Sequence, residues 1–311
     1  MSLWHKNFQR TLEGRGHNVI FKCDMAKAYD RMEWDFIIAV LRRFWFSLNF
    51  TAIIESLLTN CWFSVMFNGI LAGFFKSTRG LRQGDPLAPT LFIIAEEVLS
   101  RGLSEAFRSK KIGYYKVPRQ CPIVTHLLFA DDTLVFLNGC KRSVQGLLDF
   151  LRLYETSSGR RVNASKSCFL LSKKAPERTR LMIHSVTGYI HKDFPLKYLG
   201  VPLVKGRFKI GFYKGLIDKI INRINGWRSS LLSAGGRLVL IKHVLSSIPV
   251  YTLACTPIPK GVHTIIDKHM ANFLWGSREG GYKKHWRSWR YICRPVERSR
   301  HHVFEESTES S

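Results

Sequence analysis

The pair Asp131-Asp132, set inside His126-Leu127-Leu128-Phe129-Ala130-Asp131-Asp132-Thr133-Leu134-Val135-Phe136, constrains this chain more than any other feature. Two adjacent acids lie between two runs of β-forming, apolar residues, so the segment reads as a hairpin with carboxylates at its turn. Neighbouring carboxylates repel, and burying them is costly unless positive charge compensates. A divalent cation at a tight turn is the natural compensation, and cations held that way serve phosphoryl chemistry. One more carboxylate is then expected from the same sheet. Asp24, at the end of Asn18-Val19-Ile20-Phe21-Lys22-Cys23-Asp24, is the candidate. The competing reading is an exposed turn, which Asp favours; the apolar flanks on both sides weigh against it.

Charge narrows the partner. Lys and Arg number 48 against 23 Asp and Glu, a formal net charge of +25. Such an excess points to a polyanion, and its spread over the whole chain favours nucleic acid over a membrane surface. The seven cysteines are odd in number and widely spaced, with no C-x-x-C. That argues against a disulfide framework or a zinc site built from Cys pairs, and for a reducing compartment, nucleus or cytoplasm. The first residues show no signal-peptide pattern, and Glu96-Glu97 and Lys242 interrupt the best candidates for a membrane span.

The order of elements predicts an α/β fold. Residues 19–25 read as a buried strand, 33–46 and 52–58 as helices, and 64–75 as a hairpin around Asn68-Gly69. A Gly- and Pro-punctuated loop, 78–89, feeds a long helix from 90 to 109. After the acidic hairpin come a helix over 143–156, a mixed strand and loop over 162–171, a helix over 177–186 and a hairpin over 196–203. Beyond Gly206 the strands stop, and basic amphipathic helices are expected over 212–227, 237–247 and 262–275, followed by a polar tail.

These segments carry blocks that resemble reverse transcriptases, most closely those of plant non-long-terminal-repeat (LINE-type) retrotransposons. Phe21-Lys22-Cys23-Asp24-Met25-Ala26-Lys27-Ala28-Tyr29-Asp30-Arg31 is similar to the family's first catalytic block. Gly80-Leu81-Arg82-Gln83-Gly84-Asp85-Pro86-Leu87-Ala88-Pro89 is similar to its template-and-nucleotide block, and Phe129-Ala130-Asp131-Asp132 to its catalytic hairpin. Gly159 to Ser167 resembles the block that follows, and Tyr198-Leu199-Gly200 the primer grip. The blocks stand in the family's order from about residue 18 to 275.

The resemblance implies a polymerase palm, with a small antiparallel sheet backed by helices, followed by an all-helical thumb. It divides the chain into an N-terminal remnant (1–17), palm (18–205), thumb (206–276) and polar tail (277–311). It implies RNA-directed DNA polymerisation: two Mg²⁺ (or Mn²⁺) ions, deoxynucleoside triphosphates, an RNA template and a DNA primer whose 3′-OH attacks the α-phosphate. At matching positions Asp24, Asp131 and Asp132 are metal-site carboxylates, with Asp24 and Asp131 the more direct ligands. Tyr29 is the aromatic that occupies the space of a ribose 2′-OH. Arg82, Gln83 and Gly84 approach the nucleotide and template, Arg82 with a solvated loop residue as its alternative. Lys166 acts as acid or counter-charge at the leaving pyrophosphate, with a surface lysine as the competing reading. Asp30 and Asp85 are read as structural. Lys214, Lys219, Arg223, Arg228, Arg237, Lys242 and Lys268 supply thumb charge that tracks phosphates.

Two departures from the family pattern stand out. Only 23 residues precede Asp24, where family members carry a fingers region, and after Pro295 the sequence leaves the pattern. A truncated copy is therefore the expectation, and two readings stay open: a polymerase, or a catalytically inactive nucleic-acid-binding relic of a retroelement.

Overall fold

The computed structural model describes residues 17–171, 175–227, 232–276 and 285–293. Contacts divide the chain into two compact units between Phe194 and Pro195.

The first unit is built on a five-stranded sheet in the order β4-β5-β1-β6-β7. Its strands are β1 (Asn18–Asp24), β4 (His126–Phe129), β5 (Asp132–Asn138), β6 (Cys168–Leu171) and β7 (Ile190–Lys192). All neighbours are antiparallel except β6 and β7. The central strand β1 is buried along most of its length, as its apolar run requires. Alternation along it puts Val19, Phe21 and Cys23 on the face that joins the main core and leaves Lys22 and Asp24 on the other.

Helices cover the core face. Helix α1 (Trp34–Arg43) buries Ile37, Ile38 and Leu41. Helix α2 (Leu48–Thr59) starts at Ser47, whose side chain accepts the Phe50 N–H at 3.2 Å. Helix α3 (Ala88–Arg108) sends in Leu91, Ala95, Leu99 and Leu103, and helix α4 (Lys141–Ser158) sends in Val144, Leu147, Leu151 and Tyr154. Both stripes follow the three-to-four-residue helical repeat. Helix α5 (Glu177–Thr187) completes this unit. A separate hairpin, β2 (Trp62–Phe67) with β3 (Ile70–Lys76), turns at Asn68-Gly69 as the sequence predicts; both turn residues have positive φ.

The second unit opens with the hairpin β8 (Leu196–Tyr198) and β9 (Val201–Leu203), turning at Leu199-Gly200. A short 3₁₀ turn (Ile210–Tyr213) leads into α6 (Lys214–Asn225), followed by α7 (Ala234–Leu240), α8 (Val250–Cys255), α9 (Lys260–Trp275) and α10 (Trp289–Ile292). Tyr213, Ile217, Ile220, Leu245, Val262 and Ile266 are among its own buried core.

Two sequence expectations need correction here. The strand ends at Asp24 rather than running on through Met25, because Met25 forms only an isolated bridge to Val162. The helix expected over 237–247 begins at Ala234, capped by the Ser233 side chain, and widens into a π-helix over Ile241–Leu245. The sequence did not suggest β7, α8 or α10: three, six and four residues are too short to show a period.

Candidate active site

The acidic turn is built by strand pairing. Strands β4 and β5 leave Ala130 and Asp131 as a two-residue turn, with Asp132 as the first residue of β5. Ala130 holds φ 51°, and Asp131 is not among the positive-φ residues. Positive φ at the first central position alone is the pattern in which a tight hairpin favours Gly, so an alanine there is strained. Asp132 pairs in register with Asp24 across β1 and β5. One residue further, the Met25 N–H donates to the Asp131 carbonyl at 3.1 Å and ties the turn to the end of β1. Asp24 therefore meets Asp131 and Asp132, more than a hundred residues away in sequence, at one end of the central sheet.

Their surroundings differ. Asp132 forms an ion pair with Lys22 Nζ at 2.8 Å, a diagonal cross-strand contact on the face they share. Asp24 and Asp131 instead line a cleft of about 720 Å³, together with Tyr29, Arg82, Gln83, Gly84, Asn163 and Lys166. Burial lifts the Asp24 carboxyl above its ordinary range; Lys166 pulls it back, Asp131 and Asp132 raise it further, and Lys22 lowers it. Asp24 is also fixed through its backbone. Its N–H donates to Ser167 Oγ at 3.1 Å, and its carbonyl accepts the Asn163 N–H at 2.8 Å.

The loop bearing Arg82, Gln83 and Gly84 is docked on the loop bearing Tyr29. The Leu81 N–H donates to the Tyr29 carbonyl at 2.9 Å, the Gly80 N–H to the Met32 carbonyl at 2.8 Å, and Trp34 Nε1 to the Gly80 carbonyl at 2.8 Å. Gly80 is required at this crossing: its φ is +91°, and a Cβ there would lie 2.6 Å from the Asp30 carbonyl oxygen. Gln83 Nε2 donates to Asp30 Oδ1 at 3.3 Å. Arg82 pairs with Asp85 at 2.9 Å, and Asp85 also accepts the Leu87 N–H at 2.9 Å, so both acids read as structural do hold loop geometry.

Every first-unit candidate is thus brought to one place, with Asp132 set slightly behind it. The hairpin Tyr198-Leu199-Gly200 belongs to the second unit, where Tyr251 Oη donates to the Leu199 carbonyl at 2.9 Å. Among the basic residues named for that unit, Lys214, Lys219, Arg223, Lys242 and Lys268 are exposed, and Arg228 lies outside the described residues. Arg237 is a correction. It is half-buried, with Nε on the Leu274 carbonyl at 2.8 Å and Nη1 on the Leu232 carbonyl at 2.9 Å. It satisfies one carbonyl at the end of α9 and one just before α7.

Sequence reasoning missed Lys22 and Asn163. Lys22 was legible in principle, since it lies two residues before Asp24 and so on the same strand face. Asn163 reaches Asp24 through its backbone N–H, a contact no side-chain pattern reveals, while its Oδ1 accepts the Ser165 hydroxyl at 2.7 Å in the turn before Lys166.

A divalent ion fits the donor set. Asp24 and Asp131 offer hard oxygens to the cleft, and Mg²⁺ needs only one or two carboxylates, with waters and phosphates completing its shell. Among the described residues, no three His, Cys, Asp or Glu side chains form a ready-made metal-binding group.

Residues 3–203 match the family model described as reverse transcriptase (RNA-dependent DNA polymerase). The chain belongs to the reverse transcriptase family. It is 25% identical over 272 residues, 85% of its length, to the 149 kDa protein of transposon TX1 from Xenopus laevis, and covers 19% of that protein. It is 30% identical over 127 residues, 40% of its length, to the Pol polyprotein of a type-1 R2 retrotransposable element from Popillia japonica, covering 20% of it. The chain therefore spans a fifth or less of these retrotransposon relatives. Among solved structures it resembles a telomerase from Candida tropicalis, with TM-score 0.48 and 12% identity, covering 89% of this chain and 42% of that one. Among the described residues, no helix of this reverse transcriptase domain is long and apolar enough to cross a membrane.

Proposed function

We propose that this domain is an RNA-directed DNA polymerase of a plant LINE-type retrotransposon lineage, extending a primer 3′-OH with deoxynucleotides on an RNA template. The observation that carries this reading is the pairing of Asp24 with Asp132 at the head of a hairpin whose turn residue, Asp131, opens on the same cleft as Tyr29, Gln83, Gly84 and Lys166.

Bound Mg²⁺ or Mn²⁺ would supply charge neutralisation at both ends of an in-line displacement. The chain's own residues do the rest. Asp24, at the end of β1, and Asp131, in the β4–β5 turn, would hold the ions, and Lys22 pairs with Asp132 beside them. Lys166, across the cleft wall from Asp24, faces the leaving pyrophosphate as proton donor or counter-charge. Tyr29 fills the space a 2′-hydroxyl would need, and steric exclusion rejects an added hydroxyl that a hydrogen-bonding site could not. Gln83 and the backbone at Gly84, which lacks a Cβ and has φ +94°, sit where the base and sugar pass. The exposed lysines and arginines of α6, α9 and the π-helical turn at Ile241–Leu245 hold duplex phosphates without reading sequence.

Primer extension on poly(rA)–oligo(dT) with dTTP and Mg²⁺ tests the reading. Extension that falls at least about a hundredfold in Asp131→Ala supports it. Duplex binding without any extension selects the nucleic-acid-binding relic instead.

A further inference from the structure

Behind Tyr29 lies a buried charge that the polymerase reading does not use. Arg160 is fully buried and forms an ion pair with Glu96. Its Nη1 donates to Tyr154 Oη at 3.0 Å, and Tyr154 Oη donates to Glu96 Oε1 at 3.3 Å. The pair joins the end of α4 to the middle of α3. Arg160 Nε and Nη2 and Glu96 Oε2 make no hydrogen bond. Burial pushes the Arg160 guanidinium down to about 10, the mark of a charge held at a cost.

What that charge touches is aromatic. The guanidinium carbon lies 5.2 Å from the Phe92 ring centroid and 5.9 Å from that of Tyr154, within cation–π range. Phe92 in turn stacks on Tyr29, with centroids 4.3 Å apart and planes 5° from parallel. A contiguous column therefore runs from Glu96 through Arg160 and Phe92 to Tyr29, and only its last member lines the cleft. An apolar pair of similar volume would fill the same space at equal or lower cost. Stability alone thus gives no reason for charge at this depth.

We propose that Arg160, held by Glu96, is a positioning residue: it fixes the Phe92 ring, Phe92 fixes the Tyr29 ring, and the column sets how strictly the cleft excludes a 2′-hydroxyl. The proposal rests on the polymerase reading for its selectivity part, but its geometric part stands on the column itself. A Tyr29 ring free to tilt admits a ribonucleotide; a ring clamped against Phe92 does not.

The test replaces both charges, Arg160→Met with Glu96→Leu, so that no lone charge is left in the core. Phe92→Leu serves as a milder second variant that leaves the ion pair intact. Protein grown with 3-fluorotyrosine carries ten fluorine signals, one per tyrosine, and the Tyr29 signal is the one lost in Tyr29→Phe. The proposal predicts that this signal shifts in both variants. It also predicts that the ratio of UTP to dTTP incorporation on poly(rA)–oligo(dT) rises about tenfold in both, towards the value set by Tyr29→Val. A folded double variant with an unmoved Tyr29 signal overturns the proposal. So does a moved signal with an unchanged ratio while Tyr29→Val raises it. If Tyr29→Val leaves the ratio unchanged, the steric role of Tyr29 fails first and selectivity falls with it. A chain that extends no primer defeats the polymerase reading, and the fluorine signal then still decides whether the ion pair holds the ring.

Discussion

The hairpin β4–β5 and the hairpin β2–β3 arise from similar sequence signals, yet they end in opposite environments. In β5 five consecutive residues, Thr133 to Leu137, are buried, because β1 pairs along its open edge and helices cover the core face. In β2–β3 every residue is exposed on both faces, with Phe67, Ile70 and Phe74 at 70%, 72% and 73%. The second hairpin is held by its own cross-strand pairs, Trp62 stacked on Phe74 at 4.9 Å and Phe63 on Phe75 at 5.8 Å. An apolar run therefore says that a strand forms and what it could bury, but not what buries it. Only the neighbouring strand and helices settle that.

The largest expected effect sharpens this contrast. Phe21→Ala, at the fully buried centre of β1, should cost about 3–5 kcal/mol of stability and lower urea midpoints steeply. Phe67→Ser in the exposed hairpin should change stability by no more than about 0.5 kcal/mol. Equal losses at the two positions would mean that β2–β3 is packed after all.

A smaller effect is expected at Lys22. Replacing it with Met leaves Asp132 beside Asp24 and Asp131 without its 2.8 Å partner. The expected loss is about 1–3 kcal/mol, read by chemical denaturation, with weaker extension than wild type. An unchanged midpoint would show that the pair contributes nothing to the acidic hairpin.

The same hairpin should carry a pH dependence that β2–β3 lacks. At the start of β4 the His126 ring nitrogens lie 3.0 Å from Ser100 Oγ and Thr125 Oγ1. Burial holds the His126 pKa below the ordinary histidine value, against an upward pull from Glu97. The unfolded chain therefore binds more protons across that interval, and stability rises with pH there. The contribution is complete above the unfolded value of about 6.5 and is lost as pH falls below it. Denaturation midpoints should drop between about pH 7 and 5, and His126→Gln should flatten the drop by up to about 1 kcal/mol. A profile that Gln leaves untouched would place the acid sensitivity elsewhere.

Much of this was legible in the sequence, and the reasons are specific. The strand at 18–24, the Asn68-Gly69 turn and the stripes of α3 and α4 were readable because each is a local pattern repeated several times. The convergence of Asp24 with Asp131 and Asp132 was readable only as an expectation, since register is set by β1 pairing with β5 over a hundred residues away. The role of Lys22 follows from that register, and the stacking of Phe92 on Tyr29 follows from how α3 packs; neither leaves a local trace. Arg237 shows the converse: its charge was legible, but its two carbonyl partners were not. The π-helical turn at Ile241–Leu245 has no composition signal at all.

In the proposed function, the pairing of β1 with β5 brings Asp24 and the turn residue Asp131 together as one cation site. Titration of the chain with Mn²⁺ in the presence of dTTP, followed by electron paramagnetic resonance, tests it most directly. Saturable uptake is expected, weakening about tenfold or more in Asp24→Asn and again in Asp131→Asn, with both variants folded. Uptake of equal strength in wild type and both variants would contradict it.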